Sequence, residues 1–183
     1  AAAAAAAEAG VALGVLPLGT MNFFARSLAI PLDMKEAAAA LATGAVAEVD
    51  IATINEHTFV HAASLGLHPA LVEEREKLSY GSRYGKMLGS LRAWITVLRS
   101  SRRFAVVLDI DGRRQGRRTA GLVISNNRLG EGHLPYADRL DHGLLALYVT
   151  TARGWFQLVR VTASAAFGKV DENPLVEVIE ARA

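Results

Sequence analysis

The sequence contains no cysteine, which excludes both a disulfide framework and a thiolate zinc site. This absence is typical of reducing compartments, so we expect a cytoplasmic protein. Long apolar runs are also lacking. The run over residues 9–18 is too short to cross a bilayer. It also lacks the basic stretch that precedes the apolar region of a signal peptide. We therefore expect no membrane-spanning segment.

An excess of one charge is missing as well, because the formal net charge is only +2. This value argues against nucleic acid as a partner. The arginines are nevertheless concentrated in one stretch, at Arg99, Arg102, Arg103, Arg113, Arg114, Arg117 and Arg118. They form either a solvated hairpin face or a surface for anionic lipid headgroups, where each basic residue gains about 1 kcal/mol.

What the sequence does have is apolar residues, at 51% of 183 positions, enough for one domain or one domain plus part of another. The continuous run at residues 11–18 predicts a strand buried on both faces, as in a parallel sheet covered by helices. A helix over residues 20–28, capped by Thr20, should follow. Asp33 and Glu36 then predict a capping box for a helix that ends near Gly44.

Beyond Gly44 the pattern changes to short strands separated by turn signals, at residues 47–54, 58–63, 104–110, 120–125, 144–150 and 175–180. Asp111-Gly112 predicts a two-residue hairpin. Helical periodicity covers residues 83–99 and 155–167. The first of these helices either packs on the sheet or borders a channel for a lipid chain. Together the patterns predict an α+β chain with a mostly antiparallel second part.

Three groups of polar residues could carry chemistry. The turn with Gly19, Thr20 and Asn22 lies between a predicted strand and a helix, where backbone amides suit a phosphate; such a turn is often only a cap. Asp50 precedes an apolar residue, so it either binds a partner or metal, or faces water at a strand end. Residues 125–143 include Asp138 and Asp141, which could bind a hard cation or simply form turns.

Three segments resemble the bacterial diacylglycerol kinase and YegS-like lipid kinase family in order and spacing: PLGTMNFFARSLAIP, AEVDIATINEHTFVHAASLG and LVISNNRLGEGHLPYADRLDHGLLAL. The resemblance implies a remnant of an α/β nucleotide-binding lobe in residues 1–45 and a β-sandwich lipid-side lobe with two helices in residues 46–183. It implies a phospholipid-metabolism enzyme, peripheral to the membrane, that uses ATP and Mg²⁺ to phosphorylate a lipid hydroxyl.

Site residues follow from the same resemblance. Gly19, Thr20 and Asn22 match a loop that contacts the ATP phosphates, and Asp50 matches an aspartate that organises magnesium-linked water. Asp141 matches part of a structural ion site. Phe23 and His142 replace family aspartates. The family's GGDGT and DGE motifs would precede and follow this sequence, so we expect a fragment that is inactive alone.

Two alternatives remain open. Phe23 and His142 favour a non-catalytic family member that binds a lipid or phosphorylated ligand. A soluble-substrate kinase similar to the NAD kinases shares the glycine-rich nucleotide lobe, although the apolar helix at residues 83–99 argues against it. The sequence favours no particular oligomeric state.

Overall fold

The computed structural model describes residues 2–76 and 94–182, with side chains up to residue 74 and from residue 94. The first part contains α1 (Ala2–Ala9), α2 (Phe23–Ser27), α3 (Met34–Thr43), β1 (Ala52–Ile54), β2 (His57–Phe59), β3 (Ala62–Gly66) and α4 (Leu67–Glu76). The second part contains α5 (residues 94–100), β4 (Phe104–Ile110), β5 (Arg113–Thr119), β6 (Gly121–Asn126), β7 (Leu144–Thr150), α6 (Trp155–Ala166) and β8 (Val176–Arg182).

A four-stranded antiparallel sheet in the order β3-β6-β7-β8 forms the centre of the fold. Leu122 pairs with Val149, and Leu147 pairs with Ile179, so alternate residues of each strand share one face. That face packs against Leu108 of the β4–β5 hairpin in one apolar cluster. Two layers of strands therefore enclose a core, and the predicted α+β class with its antiparallel sandwich is confirmed.

The β4–β5 hairpin turns where the sequence predicts. Asp111 and Gly112 have φ values of 51° and 74°, and Ile110 pairs with Arg113 on either side of them. Both turn residues therefore adopt the left-handed conformation that a two-residue hairpin with a type I′ turn requires. This local prediction is confirmed.

Helices α4, α5 and α6 meet in a second apolar cluster. Leu98 of α5 and Leu158 of α6 are buried there with Leu67 and with Ala120, which precedes β6. The predicted helix at residues 155–167 agrees with α6. Of the predicted helix at residues 83–99, residues 83–93 lie outside the described part, and residues 94–99 are helical.

Residues 11–18 are not a buried strand, contrary to expectation. They adopt no regular structure, and Val11 and Leu18 are 61% and 78% exposed. A strand needs a neighbour for its backbone hydrogen bonds, and the sheets of the described residues consist of β1 to β8 alone. The apolar run is strand-like in composition but has no strand beside it here.

Other differences concern element ends. Asn22, not Thr20, precedes α2, and its side chain makes no capping bond, whereas Asp33 caps α3 as predicted by accepting from the backbone of Lys35 and Glu36. Of the strand predicted at residues 47–54, only β1 forms. The strand predicted at residues 58–63 divides, because β2 pairs with β1 while β3 pairs with β6.

Candidate functional site

Asp50 lies just before β1 and is fixed by three hydrogen bonds. Its backbone N–H donates to the carbonyl oxygen of Leu140 at 2.6 Å, and its own carbonyl oxygen accepts from the side chain of Asn126 at 2.6 Å. The N–H of Gly143 donates to the carboxylate oxygen Oδ2 at 2.7 Å. With backbone and carboxylate both held, the half-buried side chain has a defined orientation.

The end of β6 supplies two asparagines that the sequence analysis did not single out. Asn126 is 3% exposed and Asn127 is fully buried. The N–H of Asn126 donates to the carbonyl of His61 at 2.8 Å. Oδ1 of Asn127 accepts the N–H of His142 at 3.1 Å. The sequence signal that could have identified these residues is a pair of polar side chains at the end of a buried strand, because buried amides are normally hydrogen-bonded.

A loop over residues 127–143 carries Gly143 to Asp50. At its start, the N–H of Leu129 donates to the hydroxyl of Tyr148 at 3.0 Å, and burial raises the pKa of Tyr148 to about 12, so the hydroxyl keeps its proton. The guanidinium of Arg128 binds Asp171 at 2.7 Å and Glu180 at 3.1 Å. The loop is therefore tied to the sheet and to the segment after α6.

The glycine turn is closed by its own asparagine. The N–H of Gly19 donates to Oδ1 of Asn22 at 2.7 Å, and Nδ2 of Asn22 donates to the carbonyl of Pro17 at 3.2 Å. Asn22 has a φ of 52°, and Thr20 is exposed. Oδ1 of Asn22 thus accepts from the N–H of Gly19 in the way that a phosphate oxygen would.

Phe23 connects the turn to the Asp50 side of the site. Its ring lies 5.0 Å from the ring of His61, and the carbonyl of His61 accepts the N–H of Asn126, whose side chain holds Asp50. Burial, with a smaller contribution from His68, lowers the pKa of His61, so this ring is neutral at pH 7. The turn and Asp50 are linked through these residues rather than by direct contact.

Asp141 lies in the same loop as the partners of Asp50 but is already paired. Arg139 donates to both of its carboxylate oxygens, at 3.1 and 3.0 Å, and this pairing lowers the pKa of Asp141. Asp138 accepts instead from His133 at 2.8 Å. Within the described residues, no three acidic or histidine side chains come together as a metal site.

A cavity of about 650 Å³ opens beside this loop. It is lined by Asp111, His142, Leu144, Glu180 and Arg182. The tip of the β4–β5 hairpin therefore lies at the same end of the sheet as Asp50, because His142 and Leu144 flank the Gly143 that binds its carboxylate.

Comparison with known proteins identifies the family. The family model described as the diacylglycerol kinase catalytic domain matches residues 1–54. A diacylglycerol kinase of Bacillus subtilis is 30% identical over 165 residues, which are 86% of this chain and 52% of that protein. The chain belongs to the diacylglycerol kinase and YegS-like lipid kinase family.

Two further similarities are to a protein named as a lipid kinase and to a solved structure. A protein of Escherichia fergusonii named "Probable lipid kinase YegS" is 42% identical over 69 residues, 37% of this chain and 23% of that protein. The crystal structure of a diacylglycerol kinase from Bacillus anthracis shares the fold with a TM-score of 0.61 at 20% identity, over 93% of this chain and 56% of that one. The chain spans about half the length of the curated relatives that it matches.

Proposed function

We propose that this chain is part of a kinase that transfers the γ-phosphoryl group of ATP to a lipid hydroxyl. The observation that supports it most is the orientation of Asp50, whose carboxylate accepts from Gly143 and whose backbone carbonyl accepts from Asn126. Asp50 is linked through His61 to the glycine turn. Phosphoryl transfer depends mainly on positioning and charge neutralisation. An oriented carboxylate near a phosphate-binding turn suits both.

We assign Gly19, Thr20 and Asn22 to the ATP phosphates. The N–H of Gly19 donates to the carboxamide oxygen of Asn22 at 2.7 Å. Rotation of the Asn22 side chain would free this N–H to donate to a phosphate oxygen instead. Backbone amides of this kind form anion-binding concavities. Because one turn supplies only part of the contacts that a nucleotide needs, residues 1–45 act as the remnant of a nucleotide lobe, and the remaining contacts come from outside this chain.

The residues around Asp50 fit a magnesium ion that neutralises phosphate charge. Mg²⁺ commonly keeps several waters and takes one or two protein carboxylates together with substrate phosphates, and Asp50 offers one oriented carboxylate. Asp141 fits a structural ion less well, because Arg139 binds both of its oxygens. An ion at Asp141 would first have to displace Arg139.

Residues 46–183 would form the lipid-side lobe, which would act at a cytoplasmic membrane surface in phospholipid metabolism. Among the described residues, no helix has both the length and the hydrophobicity to cross a bilayer. An enzyme that phosphorylates a lipid hydroxyl must reach the headgroup layer, so we propose reversible docking to anionic lipid.

The packing of Phe23 favours one alternative. Phe23 stands where the family has an aspartate. Its ring contacts His61 and contributes no charge for a metal. A family member that binds a lipid or phosphorylated ligand without turnover would have this feature. The kinase and the non-catalytic alternative differ in whether phosphate is transferred to the lipid.

The experiment is an assay of the full-length protein with γ-labelled ATP, Mg²⁺ and diacylglycerol in detergent micelles. The kinase predicts label in the extracted lipid. Label that stays in ATP while the lipid binds would favour the non-catalytic alternative, and label in a water-soluble alcohol alone would contradict a lipid substrate.

A further inference from the structure

The outward side of α6 carries two exposed aromatic rings. Phe156, Arg160, Ala163 and the capping Phe167 follow one another at spacings of four, three and four residues, which places them on one helix face. Phe156 and Phe167 are 69% and 73% exposed, whereas Leu158 on the opposite face is 3% exposed. Large apolar side chains that recur on one exposed face indicate a surface that binds something.

The charged residues of α6 and of the segments directly beside it are basic. Residues 153–170 contain Arg153, Arg160 and Lys169 but no aspartate or glutamate. Within the part of the chain that the structure describes, neither Arg153 nor Arg160 forms an ion pair with an acidic side chain, and Lys169 lies 3.9 Å from Glu172, with both groups exposed. The face is therefore complementary to an anionic partner.

The amino-terminal end of α6 adds a further cation next to aromatic rings. The guanidinium of Arg99 lies 4.9 Å from the ring centroid of Trp155, and Trp155 stacks on Phe156. Aromatic rings with an apolar body, placed beside cationic groups, are enriched where a protein meets the boundary between headgroups and acyl chains.

The other end of α6 reaches the loop that serves Asp50. Gly168, directly after the helix, accepts the N–H of Gly132 at 3.0 Å, and Gly132 belongs to the loop at residues 127–143. The helix has 12 residues and is about 18 Å long. A surface that lies along α6 therefore extends to the loop whose last residue, Gly143, binds the carboxylate of Asp50.

We propose that this face, formed by Arg153, Phe156, Arg160 and Phe167, docks α6 flat on an anionic bilayer. Phe156 and Phe167 would enter the headgroup layer while Arg153 and Arg160 contact lipid phosphates. The proposal rests on the lipid kinase function and names the surface by which the enzyme reaches its substrate. It differs from docking through the β4–β5 hairpin.

Vesicle co-sedimentation tests the surface directly. The parent protein should bind vesicles of equal parts phosphatidylglycerol and phosphatidylcholine, and bind pure phosphatidylcholine far less. Phe156→Ser with Phe167→Ser, or Arg153→Ser with Arg160→Ser, should each weaken binding by about ten-fold or more, since each basic or apolar contact contributes separately. Val107→Ser with Arg118→Ser is the matched control, because both residues are exposed on the outward face of the hairpin.

The control variant should sediment like the parent. Loss of binding in the hairpin control with retention in both α6 variants would overturn the proposal in favour of the hairpin. Equal binding to neutral and anionic vesicles, or none to either, would overturn it too. Retained vesicle binding in both α6 variants with loss of self-association would assign the face to a second copy of the chain.

A second readout reports which face meets the lipid. Because the chain has no cysteine, Ala163→Cys and Gly116→Cys each give one labelling position, and a side chain added at Gly116 meets nothing within 4 Å. An environment-sensitive dye should shift to the blue on anionic vesicles at residue 163 and not at residue 116. The reverse pattern would overturn the proposal.

Kinase activity on a short-chain diacylglycerol in detergent separates this surface from the proposed reaction. Phe156→Ser with Phe167→Ser should keep activity there and lose it on vesicles. No transfer by the parent in detergent would refute the lipid kinase function and leave the vesicle result standing. Loss of activity in detergent for the α6 variant alone would show that the face acts in the reaction itself and overturn the docking role.

Discussion

Asn126 is the residue through which the sheet holds Asp50. Its side chain donates to the carbonyl of Asp50, and its backbone N–H donates to His61. Asn126→Ala should leave the partly buried carbonyl of Asp50 without its donor and lower the free energy of unfolding by about 1–3 kcal/mol. It should also reduce kinase activity per folded molecule in the full-length enzyme.

Asn173 provides the matched control, since it is similarly buried and its side chain hydrogen-bonds Arg160, Ser164 and Leu175. Asn173→Ala should lose comparable stability in urea denaturation and keep its activity. Equal activities in the two variants would mean that Asn126 has no role in the site beyond folding.

Glu177 gives a stability effect that depends on pH. Arg117 binds its two carboxylate oxygens at 2.9 and 2.8 Å, and this pairing lowers the pKa of Glu177 below its ordinary value of 4.5. A lowered pKa stabilises the fold above the unfolded-state pKa, and that contribution disappears as the pH falls through the folded-state pKa.

Urea midpoints of the parent and of Glu177→Gln should therefore differ near neutral pH, with the parent more stable, and converge as the pH falls through the lowered folded-state pKa of Glu177. Arg114→Ser is the comparison on the same hairpin, because Arg114 pairs with Asp109 at the exposed surface and should change the midpoint little. A gap between parent and Glu177→Gln that persists at low pH would indicate lost packing instead of lost charge.

Among the elements, the end of α6 is the place where backbone geometry constrains the sequence most. Gly168 has a φ of +66°, and a Cβ atom there would lie 2.1 Å from the carbonyl oxygen of His133. Gly112 at the hairpin tip has a φ of +74° but nothing within 4 Å of such an atom. Gly168→Ala should thus cost at least about 2–3 kcal/mol, whereas Gly112→Ala should cost about 1 kcal/mol.

Thermal unfolding of the two variants checks this difference. Similar losses would show that the loop at residues 127–143 moves away from α6 without cost. A large loss at Gly168 that is accompanied by weaker vesicle binding would be consistent with α6 and the loop forming one surface.

The elements predictable from the sequence were those whose signals are local. Asp111-Gly112 determined the hairpin and Asp33 determined the start of α3, because turn and cap chemistry act within a few residues. Residues 11–18 were wrongly expected to be a strand, since pairing depends on a neighbouring strand that composition does not reveal. Alternation also could not show that the chain bends between β2 and β3, where the pairing partner changes.

The candidate site was predictable only in part, for the same reason. Asp50 and the glycine turn stand out in the sequence, but the residues that connect them, Phe23, His61 and Asn126, are far apart along the chain. The contact between His61 and Asn126 depends on the antiparallel pairing of β3 with β6. The pairing of Arg139 with Asp141 is local, yet a loop rich in charges allows many such pairs.

At the scale of the whole molecule, the arginines that cluster in the sequence separate in space. Arg113 is next to the hairpin tip, at the Asp50 end of the sheet. Arg118 is at the opposite end, beside Thr119, whose hydroxyl donates to the carbonyl of Thr150 at the end of β7. β7 has seven residues, so the two ends are about 20 Å apart. Arg117 is paired with Glu177, which leaves a divided surface and not one basic patch.

ATP binding also belongs to the scale of the whole molecule, because we propose that this chain supplies only some of the contacts to the nucleotide. This 183-residue chain should bind ATP with millimolar affinity or weaker, because the turn at Gly19 that we propose for the phosphates would supply only part of a phosphate site. Calorimetric titration with MgATP measures it. Micromolar affinity for this chain would show that residues outside it are not needed for nucleotide binding.

The most direct test of Asp50 as the fixed carboxylate of a lipid kinase is the turnover of Asp50→Asn. In the full-length enzyme with Mg²⁺, ATP and diacylglycerol in detergent, kcat should fall by about a hundred-fold or more, since the amide cannot supply the negative charge that phosphoryl transfer requires. Asp111→Asn, an exposed acid at the nearby hairpin tip, should retain its activity, and circular dichroism should show both variants folded. A folded Asp50→Asn enzyme that phosphorylates diacylglycerol at the parent rate would contradict this role for Asp50.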